Sequence, residues 1–251
     1  EIGGHELVAW TVALYEVGSI VAGATSGLLA VRHGVRLPMG IAATLFAVGC
    51  AVSASAPSMW VVLAGRLLQG LGGGGLMALS FVSVGLLFPK PLMPRALAAV
   101  STLWGVSAFL GPLIGGVFVE VATWRTGFWF FALWAVAQAA WIACGPKLDG
   151  RSDRAAADGR LPVFRLLFLS AGVVLIACGG IHVVPLRTAA FALAGLACLA
   201  VFVRLDARRA GNRLLPPDPI GLGSPASAAL TMILCFSAAT VAISTYGPLL
   251  V

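Results

Sequence analysis

An all-α integral membrane protein is the fold class this sequence predicts, and three observations predict it. The mean hydropathy is +1.01. Of the 251 residues, 60% are hydrophobic and 10% charged, whereas a soluble domain needs roughly 25% charged residues to coat its surface. The basic residues fall in short loops between long apolar runs, so the net charge of +7 reads as membrane topology. Nucleic-acid binding would need those residues gathered on one face.

A bilayer core of about 30 Å needs ~20 apolar residues per helix. With charge, proline and glycine as boundaries, that ruler predicts eight spans, at 10–30, 37–56, 59–87, 95–119, 127–145, 164–181, 188–204 and 224–250. The first carries Glu16 and the third Arg66. A charge at mid-membrane is disfavoured by about 2.5 to 3.5 kcal/mol even on a lenient scale, so each needs a role. Counted from Trp10 and Met59 at ~1.5 Å per residue, both lie roughly 9 to 11 Å below the outer boundary. That shared depth permits an ion pair or a common aqueous cavity. The structural alternatives are a pair that only locks two helices, or a protonated Glu.

The third span also contains GLGGGG at 70–75. It matches GxGxxG literally, but a dinucleotide site needs a preceding strand and a later acidic residue. Close helix packing is the better reading, because small residues let helix backbones approach in lipid. Gly23/Gly27 and Gly111/Gly115 repeat the same spacing. In the fourth span GVSAFLGPLIGG puts Pro112 mid-helix, where it removes a hydrogen bond and bends the axis. Gly111, Gly115 and Gly116 beside it would let a neighbour close over the bend. After the fifth span, 146–163 is the longest polar stretch and reads as a flexible linker. A basic hinge at 205–223 follows the seventh. With Glu1 at the start and an apolar PLLV at the end, the chain is expected to be an internal piece of a longer membrane protein.

Alternate loops divide the 16 Lys and Arg residues unevenly. One set holds Arg32, Arg36, Lys90, Arg95, Lys147, Arg151, Arg154, Arg160, Arg165, Arg204, Arg208, Arg209 and Arg213; the other holds Arg125 and Arg187, with Arg66 inside a span. By the positive-inside rule, the loops at 31–36, 88–95, 146–163 and 205–223 are cytoplasmic and residues 1–9 lie outside. Cys50, Cys144, Cys178, Cys198 and Cys235 all sit in apolar runs without a CxxC pair and read as buried spectators. His5, His33 and His182 fall in separate loops. No triad or metal set is expected, and no enzyme.

Taken together, four motifs resemble the major facilitator superfamily, and more narrowly its fourteen-helix drug:proton antiporter branch. GLLAVRHGVR at 27–36 is similar to the superfamily loop GxLaDrxGR[RK], with Gly27, Leu29, Ala30, Arg32, Gly34 and Arg36 in register. LAGRLLQGLGGG at 63–74 resembles the fourth-helix motif, with Arg66, Gln69 and Gly70 in place. GPLIGG at 111–116 resembles the fifth-helix antiporter motif, and Trp124, Arg125 and Phe128 the WRxxF before the sixth helix. Two loop positions depart from the pattern: the Asp is Val31 and one basic position is Val35.

The resemblance implies a major facilitator fold fragment. Residues 1–145 would be the N-terminal half without its first helix, 164–204 the extra central pair, and 224–251 the truncated first helix of the C-terminal half. Arg208, Leu214, Leu215 and Pro216 resemble the stretch that follows that pair. A twelve-helix member is the rival, but the loop motif does not recur at 204–213, since Asp206 and Gly211 stand five apart where it wants three. It implies a monomer in the plasma (inner) membrane that exports small amphipathic organic compounds against protons, with no cofactor and no nucleic-acid partner. Glu16, Arg66 and Gln69 would couple protons or line the cavity. Gly27, Arg32, Gly34 and Arg36 would form the gating loop, and Gly111, Pro112, Gly115 and Gly116 a leak-limiting bend. A non-transporting receptor on the same fold is the other reading; loss of Glu16 and Arg66 would favour it.

Overall fold

Helix is the solution lipid imposes, because a spanning segment must satisfy every backbone N–H and C=O within itself. In the computed structural model, which describes residues 7–145, 163–181 and 185–208 together with Ala228, Thr231 and Met232, the helices in order are α1 (Val8–His33), α2 (Arg36–Ala54), α3 (Met59–Leu87), α4 (Met93–Val121), α5 (Trp124–Cys144), α6 (Val163–Ile181) and α7 (Pro185–Ala207). There is no strand among the described residues. Six of these helices are long and apolar enough to cross a bilayer; α6 has a shorter apolar stretch, Phe164–Ile176. The chain divides into two compact units, Glu1–Phe202 and Val203–Val251, and α1 to α6 lie wholly within the first.

The centre of that unit is α3, which packs extensively against α1 on one flank and α2 on the other. Its glycines are what admit both neighbours. A Cβ on Gly70 would strike the Tyr15 carbonyl of α1, and one on Gly74 would strike Ser19. From the α1 side, a Cβ on Gly18 would stand 2.6 Å from the Leu67 carbonyl oxygen. On the α2 flank Gly72 faces Ala42 and Phe46, Gly65 faces Ser53, and a Cβ on Gly49 would lie 2.6 Å from the Gln69 nitrogen. The run GLGGGG is thus a packing device on two sides of one helix. α6 and α7 use the same device, with a Cβ on Gly195 falling 2.8 Å from the Gly172 carbonyl.

That expectation does not extend to the other spaced glycines. A Cβ on Gly27, Gly111, Gly115 or Gly116 meets no atom within 4 Å among the described residues, and Gly23 only just touches Ala78 at 4.0 Å. For the last three the reason lies in α4, which has no buried residue and makes only thin contact with α3 and α5. Phe118 anchors it, with its ring 5.3 Å from Phe130 of α5 and resting over Gly127.

Two residues join α1 to α2. Gly34 takes a φ of +75°, a value that glycine adopts without the Cβ clash other residues suffer, and Val35 turns inward to 1% exposure. Val35 belongs to a small core with Ala30, Ala42 and Leu79, so the basic residue of the loop motif is replaced here by a side chain that plugs three helices.

Several helices outrun the predicted spans. α7 continues through Ala207, into the expected hinge, and α5 starts at Trp124. An apolar ruler measures lipid, whereas the hydrogen-bond ladder carries on into the polar interface. Nor are all the cysteines hidden: Cys50 is buried, but Cys178 and Cys198 are intermediate and Cys144 is exposed. The linker up to residue 162, the hinge beyond Arg208, Cys235, His5 and His182 lie outside the described residues, as does the eighth span apart from three helical positions within it.

The packing predicts a sharp contrast between glycines. Gly74→Ala is expected to destabilise the protein by about 1–3 kcal/mol, the usual effect of overpacking. Gly85→Ala, whose Cβ enters open space, should be neutral or slightly stabilising, because alanine is the better helix former. Thermal unfolding of the two variants in detergent distinguishes them.

Candidate functional site

Arg66 projects from α3 into the contact with α1. Its Nε donates to the Thr11 carbonyl at 3.1 Å, its Nη1 donates to Gln69 Oε1 at 2.8 Å, and its guanidinium lies 4.7 Å from the centre of the Tyr15 ring. Gln69 sits one turn further along the same face, 2% exposed. Its amide donates to the Gly49 carbonyl at 3.1 Å and to Ser53 Oγ at 2.9 Å. A polar chain therefore runs from α1 through α3 into α2, and no buried side-chain polar atom among the described residues lacks a partner.

The charge of Arg66 is neutralised by no carboxylate in this chain of contacts. It is stabilised by two oxygen dipoles and an aromatic face, the last worth about 2 kcal/mol or more when desolvated. Glu16 follows Tyr15 directly on α1 but is exposed, and Arg66 donates instead to Thr11 and Gln69. The shared depth of Glu16 and Arg66 thus does not become a direct ion pair. Arg66 and Gln69 are brought together, and Glu16 stands beside them. Tyr15 and Ser53 are members of this site that sequence reasoning passed over. An aromatic near the depth of a mid-membrane arginine is the signal that finds Tyr15; no sequence signal singles out Ser53.

The loop residues do different work. Arg36 opens α2 and reaches across to α5, where its Nε donates to the Ile142 carbonyl at 2.9 Å and its Nη2 to the Ala143 carbonyl. These are carbonyls of the last turn, which have no partner within their own helix and favour a cation. At the far end the roles exchange. Arg125, in the first turn of α5, donates from Nη2 to the Ala56 carbonyl just beyond α2 at 2.9 Å, with its guanidinium 4.4 Å from the Trp124 ring. The antiparallel pair α2–α5 is clasped at both ends. Arg32 is exposed, and Pro112 lies within the unburied α4. No cluster of three metal-ligating side chains occurs among the described residues.

Comparison with known proteins bears on these motifs. The family signature of the Major Facilitator Superfamily matches residues 1–251. A probable multidrug-efflux transporter of Mycobacterium tuberculosis is 34% identical over 253 residues, covering 99% of this chain and 53% of that protein. Azole resistance protein 1 of Saccharomyces cerevisiae is 30% identical over 129 residues, 51% of this chain and 21% of the yeast protein. An efflux pump of Fusarium langsethiae is 29% identical over 154 residues, 59% of this chain and 27% of the pump. The chain spans about half the length of the mycobacterial relative that it matches throughout.

Gln69→Leu removes three hydrogen bonds at once, those with Arg66 Nη1, the Gly49 carbonyl and Ser53 Oγ. The expected loss is about 1–3 kcal/mol for each buried group left unsatisfied, read as a lower unfolding midpoint. Adding Ser53→Ala to it should cost less than Ser53→Ala alone, because contacting residues do not add.

Proposed function

We propose, from the premise that this chain belongs to the Major Facilitator Superfamily, that it is part of a secondary transporter exporting small amphipathic organic compounds in exchange for protons. The observation that carries this reading is Arg66, a permanent charge lodged inside a membrane-spanning helix and held there by Thr11, Tyr15 and Gln69. Ionisable groups at membrane depth mark substrate or proton pathways by default. The efflux names of the relatives favour organic compounds as cargo.

Glu16 is the proton carrier in this scheme. It is exposed on α1, and the residue before it, Tyr15, lies against Arg66; in this reading it would meet water in a central cavity. Gln69 keeps Arg66 in place. Two halves of the protein would rock around a midplane site, with the basic loops at 31–36, 88–95, 146–163 and 205–223 facing the cytoplasm. The protein would act as a monomer in the plasma (inner) membrane, driven by the proton gradient and without a cofactor. The bend at Pro112 would limit leak, since a mid-helix proline leaves a carbonyl unpaired and the axis deformable.

Export of a cationic dye from proteoliposomes under an imposed proton gradient tests the scheme. Glu16→Gln is expected to lower gradient-driven export by an order of magnitude or more while dye binding persists; export at the parent rate would return Glu16 to a structural role. Pro112→Ala should leave the unfolding midpoint unchanged or higher, because α4 gains a helix-forming residue. The same variant should shift the proton-to-dye ratio. An unchanged ratio would remove the bend from the coupling mechanism.

A further inference from the structure

Not every glycine of the α3 run admits a helix backbone. A Cβ on Gly70, Gly72 or Gly74 would first meet main-chain atoms of α1 or α2, whereas the three atoms nearest to a Cβ on Gly73 all belong to side chains. They are the Tyr15 hydroxyl at 2.9 Å and two ring carbons of Phe46 at 3.3 Å. α1 and α2 thus each send one half-buried aromatic residue to the same point on α3. A methyl group there would have to displace the tip of Tyr15 and press on the Phe46 ring.

That point is tied to Arg66. Gly73 follows Arg66 by seven residues, close to two turns of helix, so both lie on one face of α3. Tyr15 lies along this face, with its ring centre 4.7 Å from the guanidinium and its hydroxyl against Gly73. The Thr11 carbonyl that accepts from Arg66 Nε comes one turn earlier in α1, and Gln69 Oε1 accepts from Nη1. The ring adds what neither oxygen supplies, attraction of the cation by a π face. Where the ring sits depends on its far end, and the far end depends on the space at Gly73.

We infer that Tyr15 is a positioning residue for transport: its ring, seated in the space that Gly73 leaves beside Phe46, holds the Arg66 guanidinium in its working orientation. The consequence for export rests on the reading of Arg66 proposed above; the contact itself is measured without any transport. Losing the ring leaves both hydrogen bonds of Arg66 but lets the guanidinium take other orientations, so a smaller fraction of molecules is competent at any moment. Cargo that does not touch Tyr15 is then bound as before and moved more slowly.

Export of ethidium from proteoliposomes of the full-length protein under an imposed proton gradient reads the effect. Tyr15→Leu is expected to lower the maximal rate about tenfold, equivalent to about 1.4 kcal/mol and within the range of a cation–π contact. The half-saturating ethidium concentration should stay within about twofold of the parent's, since the ground-state binding of cargo is untouched. Tyr15→Phe, which keeps the ring, should restore most of the parent rate. Gly73→Ala should lower the rate about threefold, as for a cation–π contact weakened and not lost. In the Tyr15→Phe background it should do much less, because the oxygen that the methyl would strike is gone. Equal loss in both backgrounds would overturn the seat at Gly73. A raised half-saturating concentration in Tyr15→Leu would overturn the positioning role, because Tyr15 would then be touching the cargo. Thermal unfolding in detergent gives the second readout: Tyr15→Leu should lower the midpoint more in the parent than in Arg66→Met, or in Arg66→Gln should the first not fold. Equal lowering would overturn the contact. If the parent exports no ethidium the transport reading fails, and the unfolding comparison still decides whether Tyr15 holds Arg66.

Discussion

Lipid offers helices no hydrophobic reason to associate, because its tails are as apolar as leucine; what remains is close packing and hydrogen bonds between helices. The rest of this structure depends on how α3 meets that constraint. With hydrogen at the Cβ positions of Gly65, Gly70, Gly72 and Gly74, both neighbours approach to backbone contact. That approach also builds the polar site. The Thr11 carbonyl reaches Arg66, and the Gly49 carbonyl reaches Gln69, only because α1 and α2 lie this near. Packing and charge stabilisation are two results of one set of absent side chains.

Membership of the Major Facilitator Superfamily gives these details a frame, and the departures from its loop pattern acquire physical content within it. Val35 is core, closing the end of the three-helix cluster formed by Ala30, Ala42 and Leu79. Val31 removes a carboxylate from a turn that keeps its cations. The turn has an apolar plug where that pattern has a basic residue.

The number and order of the described helices were legible from hydropathy, because a spanning segment announces itself by length and composition, and the glycine run of α3 was legible as packing. The ends of the helices were less so, since at Trp124 and Ala207 the backbone continues where the apolar pattern stops. For the site, Arg66 stands out in any apolar span, and its tie to Gln69 follows from three-residue spacing on one helix face. Its aromatic partner Tyr15 and the distant acceptor Ser53 depend on which flank of α3 faces which neighbour, and spacing along one chain segment does not carry that. The same holds for Arg36 and Arg125, whose acceptors lie 106 and 69 positions away.

Those two arginines have a mechanical consequence. α2 and α5 are joined at opposite ends, so neither has a free end about which to swing, and sliding one past the other by a single residue would break both attachments together. The pair has in effect lost its translational and hinge freedom and behaves as one rigid strut. Among the described helices α4 has no such double tether and meets its neighbours only through thin contacts with α3 and α5.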